Sequence, residues 1–202
     1  MHFKVTTAAF AILALSLIAA QTLVSGQEGK PKEAPILVWK ADPQLLKQLG
    51  PEIKIEGYAV RPPRGYEAIS QQIGVRKATA WKGPVREDGT APGFYVVYLT
   101  MPLGEKKMPT LEEALAVYLA DRKSSLFNWK ATKTERGKVN GLNFIRMRWS
   151  GTNETRDFAM HGFAYVYVDS KAFYVLGGQD IEPYSDKTLK LSEAAALSFR
   201  KP

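Results

Sequence analysis

The stretch "GFAYVYVDSKAFYVLGG", residues 162–178, is either an aromatic platform for a ligand or the middle of a sheet. Side chains alternate across a strand, so Phe163, Tyr165 and Tyr167 share one face while Ala164, Val166 and Val168 share the other. Beyond the turn at Asp169-Ser170-Lys171, Ala172, Tyr174 and Leu176 alternate with Phe173 and Val175. Both faces of this hairpin are apolar, which requires cover on both sides and favours the middle of a sheet. Gly177-Gly178 is expected to end the second strand. The tyrosine hydroxyls need partners if they are buried.

Working outward, "GFYVVYLTM" (93–101) is a further strand apolar on both faces. "RKATAW" (76–81) and "IKIEGYAV" (53–60) are strand candidates, the latter stopped by Pro62-Pro63. Asn140-Gly141 predicts a two-residue hairpin turn, because a type I′ turn needs positive φ at both positions. That register sets Val139 opposite Leu142, Glu135 opposite Arg146 and Lys133 opposite Arg148. The second is a plausible ion pair; the third places like charges together, which is destabilising.

Three helices are expected. Asp42, Pro43 and Gly50 punctuate a short one, with Leu45, Leu46 and Leu49 on its packing side. Thr110 and Glu113 have capping-box spacing before Leu111, Leu115, Tyr118, Leu119 and Leu126, a helical series reaching about residue 126. Glu112-Glu113 is first-turn charge complementing the helix dipole. The terminal helix lies within residues 182–201, with Leu189, Ala196 and Phe199 on its buried side. The expected fold is α+β: an α-β-α sandwich with a central, mainly antiparallel sheet covered by helices on both faces.

At the N-terminus, Lys4, an apolar run from Ala8 to Ala20 and the small residues Val24-Ser25-Gly26 read as an export signal over residues 1–26. Cleavage before Gln27 is simplest, with Ala20 a second candidate and retention as an anchor the alternative. Residues 27–41 are expected as linker and 42–202 as one domain. No later apolar stretch approaches the roughly 20 residues of a membrane span, so no transmembrane helix is expected after cleavage. The 202-residue chain has no cysteine, which excludes disulfides, thiolate catalysis and Cys-ligated zinc. Its formal net charge is +8, about +7 without Lys4, and the basic residues are scattered. Such a balance implies affinity for anionic surfaces.

Catalytic patterns are sparse. His161 is the single histidine beyond the signal, and a strand would carry Asp157 about 13 Å from it, too far to share a metal. The glycines match neither a P-loop nor a dinucleotide fingerprint. No cofactor is expected, and a hydrolase built on His161 ranks last. The sharper candidate is the basic hairpin, with six basic residues and one acidic residue between 130 and 148. Lys133, Arg136, Lys138, Arg146 and Arg148 form a candidate anion- or partner-binding set, with Trp129 and Trp149 at its base. The alternative reading is a solvated hairpin whose long side chains protect a sheet edge.

The order of "GYAVRPPRGYEAI" (57–69), "PTLEEALAVYLADRKSSL" (109–126), "GKVNGLNFIRMRW" (137–149), the aromatic hairpin and "LKLSEAAALSF" (189–199) resembles the PsbP/Mog1-like fold, in its bacterial secreted PsbP-related versions. The resemblance covers roughly residues 53 to 200 and implies an α-β-α sandwich and a non-enzymatic binding or accessory module. PsbP proteins assist the oxygen-evolving photosystem and Mog1 proteins bind a small nuclear GTPase; neither function transfers to an exported chain, and no family site residue does. The expected role is an exported, periplasmic or secreted binding module. Its partner is an unknown protein or, alternatively, an anionic envelope polymer or lipid, and not nucleic acid.

Overall fold

The computed structural model describes residues 36–73, 76–100, 107–153 and 155–202. The segment expected as a signal, and the linker up to residue 35, lie outside the described residues. Strands β10 (Ala159–Val168) and β11 (Ala172–Ile181) form the expected central hairpin. Its turn is closed by Asp169, whose Oδ1 accepts the amides of Lys171 (2.7 Å) and Ala172 (2.9 Å). β11 does not stop at Gly177-Gly178 but runs through both to Ile181. The glycines serve close approach instead: the Tyr95 ring occupies the place of a Cβ at 177, and Phe163 comes within 2.6 Å of one at 178.

Around this hairpin, β9 (Leu142–Asn153) pairs with β10, and β6 (Gly93–Thr100) pairs with β11. β5 (Arg76–Lys82) and β4 (Glu67–Ile73) continue outward beyond β6. On the other side, β8 (Glu135–Val139) lies along β9, and β1 (Leu37–Val38) lies along β8 as the single parallel pair among the described residues. β7 (Leu126–Ala131) also pairs with β9, completing a nine-stranded sheet.

Several expectations are corrected. "IKIEGYAV" is not one strand but a hairpin of β2 (Ile53–Ile55) and β3 (Tyr58–Val60), turning at Glu56 (φ 46°) and Gly57 (φ 85°). A two-residue turn leaves the alternation of apolar residues nearly unbroken, so the pattern conceals it. β4 was not expected because its exposed Glu67, Ala68 and Ile69 carry no apolar alternation. Within the stretch read as linker, Leu37 and Val38 form β1.

Helix α1 (Pro43–Leu46) starts as expected, with Asp42 accepting the Gln44 amide at 2.7 Å, but lasts one turn. Leu49 lies beyond it, fully buried, and bridges to Pro63. In α2 (Leu111–Lys123) the capping box forms: Glu113 N donates to Thr110 Oγ1 (3.2 Å), and Thr110 N to Glu113 Oε2 (2.7 Å). Accepting the Thr110 amide holds the Glu113 carboxyl below its usual range. Thr110→Ala is expected to lower stability by about 1 kcal/mol, read from the urea midpoint at unchanged m. α2 ends three residues before Leu126, which opens β7 and is buried there.

Helix α3 (Ser185–Leu197) buries Leu189 and Ala196 as expected, and Phe199 just beyond its end. These pack in one cluster with Phe163, Tyr165, Tyr174 and Leu176. A second cluster joins Ala164, Val166, Phe173 and Val175 to Ala114, Leu115 and Tyr118 of α2. The alternation along the opening stretch therefore sorts its residues into two cores. The tyrosines find partners: Tyr174 OH donates to Glu56 O (3.1 Å), and Tyr58 OH meets Tyr167 OH (2.9 Å) and Asp169 Oδ2 (3.0 Å). No helix among the described residues is long and apolar enough to cross a membrane.

Candidate functional site

The β8–β9 hairpin has the register expected of Asn140-Gly141. Both turn residues have positive φ (49° and 84°), Val139 pairs with Leu142, and Glu135 with Arg146. Asn140 also fixes the turn to the C-terminal segment, donating from Nδ2 to Leu197 O (3.1 Å) and Phe199 O (2.9 Å). The Lys133–Arg148 opposition does not arise. The first strand breaks before Glu135, and Thr132 takes the place opposite Arg148, with Thr132 N donating to Arg148 O at 2.9 Å. That break separates like charges, the arrangement electrostatics prefers.

Four of the five candidate cations divide between two faces. Arg136 pairs with Ile145 and Lys138 with Asn143, placing both on the side of α2. Arg136 NH2 accordingly meets Glu112 Oε1 of that helix at 2.6 Å. Arg146 and Arg148 lie on the side of α3, where Glu193 receives both, Arg146 at 3.5 Å. Arg146 also donates from Nε to Glu135 (2.6 Å) and from NH1 to Tyr165 OH (3.0 Å). Lys133 stands in the connection between β7 and β8. Thus three guanidiniums are oriented by carboxylates, while Lys133 and Lys138 are exposed and have no ionic partner among the described residues.

Arg146 sits in a partly buried network that sequence reasoning did not assemble. The buried Tyr165 hydroxyl donates to Glu193 Oε1 at 2.7 Å, and burial, reinforced by the Glu193 charge, pushes its phenol well up. The indole of Trp39 lies 4.5 Å from the Arg146 guanidinium and meets the Tyr165 ring edge-on at 5.3 Å. Its position after the apolar run Ile36-Leu37-Val38 was the available sign of a strand ending in an anchor. Trp149, by contrast, is not an exposed platform: it is buried, stacks on Trp129 at 5.6 Å, and lies across Gly162.

His161 Nε2 lies 2.7 Å from Glu182 Oε1 at the surface. It lines a cavity of about 170 Å³ with Arg148, Ser185, Asp186 and Lys190. A larger opening of about 380 Å³ lies at the other end of β10, bordered by Leu111, Leu142, Asn143 and Tyr167. Among the described residues no three His, Asp or Glu side chains are grouped to hold a metal ion.

No protein-family model matches the chain, and no curated protein matches it. Solved structures do. The cyanobacterial PsbP (CyanoP) of Synechocystis sp. PCC 6803 aligns over 88% of this chain and 98% of its own, with a TM-score of 0.54 and 14% identity. The Ran-binding protein Mog1p of Saccharomyces cerevisiae aligns over 75% of this chain and 94% of its own, with a TM-score of 0.50 and 12% identity. The fold is PsbP/Mog1-like, as the order of sequence motifs implied.

Proposed function

We propose that this chain of PsbP/Mog1-like fold is an exported, non-catalytic binding or accessory module acting at the bacterial envelope. In this reading residues 1–26 are a cleaved signal, 27–41 a linker whose last residues dock on the sheet, and 42–202 a single α-β-α sandwich. The two buried clusters, one with α3 and one with α2, support helices on both faces. The observation that carries a binding role is the β8–β9 hairpin. Its turn is tied to the C-terminal segment by Asn140, its arginines are held by Glu112, Glu135 and Glu193, and the Lys133 and Lys138 ammoniums remain free for a partner. A pre-oriented charged surface loses little side-chain entropy on binding. The likeness to a protein described as Ran-binding supports protein recognition as a use of this fold, without indicating the partner.

Capture from envelope extract tests the reading: the unmodified chain is expected to retain a specific protein that Lys133→Glu/Lys138→Glu releases. Retention of no protein by the unmodified chain would count against it. The second reading, association with an anionic polymer or lipid, rests on the same two free ammoniums. Each basic residue near an anionic surface contributes about 1 kcal/mol. Reversing both is therefore expected to weaken binding to phosphatidylglycerol vesicles by more than tenfold at low salt, and unchanged sedimentation would reject it.

A further inference from the structure

Residues 36–39 form a strap whose attachment is uneven. Ile36, Leu37 and Val38 are 59%, 43% and 65% exposed, so the strand itself buries little. It pairs in parallel with β8 over two positions, Leu37 with Gly137 and Val38 with Lys138, and Trp39 N donates to Lys138 O at 2.9 Å. The burial is concentrated in the Trp39 side chain, which packs against the main aromatic cluster. Its slot has a floor at Gly137, where a Cβ would lie 2.7 Å from the indole, and walls made by Arg146 and Tyr165. Yet the indole Nε1 is buried there without a hydrogen-bond partner, an arrangement that costs stability.

This is the geometry of a strand added to a sheet edge, with main-chain bonds for affinity and a side-chain pocket for selection. The occupant is poorly matched in charge. Val38 sits beside the unpaired Lys138, with the exposed Lys133 nearby in sequence, while the strap is flanked by both signs, Lys30, Lys32, Glu33, Lys40 and Asp42, with no net negative charge. We propose that the β8 edge and the Trp39 slot are a strand-addition site for an extended partner segment bearing an aromatic anchor and acidic flanks, and that Ile36–Trp39 is its tethered internal competitor. The site rests on the binding-module reading above and specifies the chemistry of its partner. A tethered segment competes at an effective concentration on the order of millimolar, so the free chain is held closed against weak ligands. A partner whose flanks are wholly acidic would meet the unpaired Lys138 and Lys133 with a net negative charge that the mixed-sign sequence around the strap does not carry, which gives the partner an advantage that the strap lacks.

The test uses the full chain and a fluorescein-labelled peptide, Asp-Glu-Ile-Leu-Val-Trp-Glu-Asp, followed by anisotropy. Trp39→Ala empties the slot and is expected to bind the peptide at least tenfold more tightly than the unmodified chain. Adding Gly137→Val, which fills the floor, should abolish that gain, as should alanine in place of the peptide tryptophan. A lysine-flanked peptide should bind at least tenfold more weakly. Binding to Trp39→Ala no tighter than to the unmodified chain, or untouched by Gly137→Val, overturns the proposal. Should Trp39→Ala fail to melt cooperatively, hydrogen exchange on the unmodified chain decides. The Trp39 amide is expected to exchange at least 100-fold faster than those of Val166 and Val175, the signature of a locally opening strap; equal protection rejects a displaceable strap. The capture experiment with Lys133→Glu/Lys138→Glu leaves Trp39 intact, so a failed slot and a failed binding module give different results.

Discussion

Replacing Arg86 with alanine is expected to destabilise the fold by about 3–5 kcal/mol, because it strands a buried carboxylate. Arg86 grips Asp180 through two parallel bonds, NH1 to Oδ1 at 2.9 Å and NH2 to Oδ2 at 2.5 Å. Asp180 is 2% exposed and lies in β11. Thr188 of α3 donates to its Oδ2 at 2.5 Å, and the Ile181 amide to Oδ1 at 2.9 Å. The guanidinium also rests on the Tyr184 ring at 4.1 Å and donates to Thr90 at 3.0 Å. One side chain thus ties the loop between β5 and β6 to the sheet and to the start of α3. A bidentate geometry is the strongest form of such a pair, and lysine, a point charge, is expected to restore only part of it. Paired replacement, Arg86→Met with Asp180→Asn, should cost clearly less than Arg86→Ala alone, since no charge is then left unpaired. Urea melts of the unmodified chain, Arg86→Met, Asp180→Asn and the paired variant close the cycle and give the coupling directly. A loss below about 1 kcal/mol for Arg86→Ala would show that solvent, not Arg86, compensates the Asp180 carboxylate.

That pair also marks where reading the sequence stops. The contacts it anticipated are local or set by a turn: the Asn140-Gly141 hairpin, the Glu135–Arg146 pair, the Thr110–Glu113 box, and the alternating faces of residues 162–178. Each depends on a period or a spacing within one segment. Arg86 and Asp180 are separated by 94 positions, and nothing near either names the other. Trp39 is similar, because its slot is made by Gly137, Arg146 and Tyr165 and exists only after the sheet closes. The basic hairpin teaches a different lesson. Counting charge along residues 130–148 merges two faces that the strand period separates. Alternation combined with the register of the Asn140-Gly141 turn would have set Arg136 and Lys138 apart from Arg146 and Arg148. What it could not supply is the counter-charge, since Glu112 and Glu193 arrive from two helices remote in sequence.

Phe199→Ala is expected to cost a further 3–5 kcal/mol class of destabilisation, about the value for emptying a fully buried aromatic site. Phe199 lies past the end of α3 and is wholly inaccessible. Its ring stacks on Tyr58 at 4.9 Å and 13°, meets Phe144 edge-on at 6.0 Å, and approaches Tyr174 at 5.6 Å. The backbone around it is fixed from both sides. Phe199 O accepts from Asn140, while Arg200 and Ala59 exchange amide bonds at 3.0 and 2.9 Å. The chain cannot collapse freely into the vacated space, which argues for a cost toward the upper part of the range. The main-chain bonds do not involve the side chain, so the hairpin turn should keep its anchor. The loss should instead appear at Tyr58, whose ring loses its stacking partner and whose hydroxyl holds Tyr167 and Asp169. Near-ultraviolet circular dichroism should therefore weaken while the far-ultraviolet spectrum is kept. Phe199→Leu, which refills most of the volume, should recover more than half of the lost stability. Equal melting of Phe199→Ala and the unmodified chain would mean that the C-terminal segment is held by its backbone bonds alone.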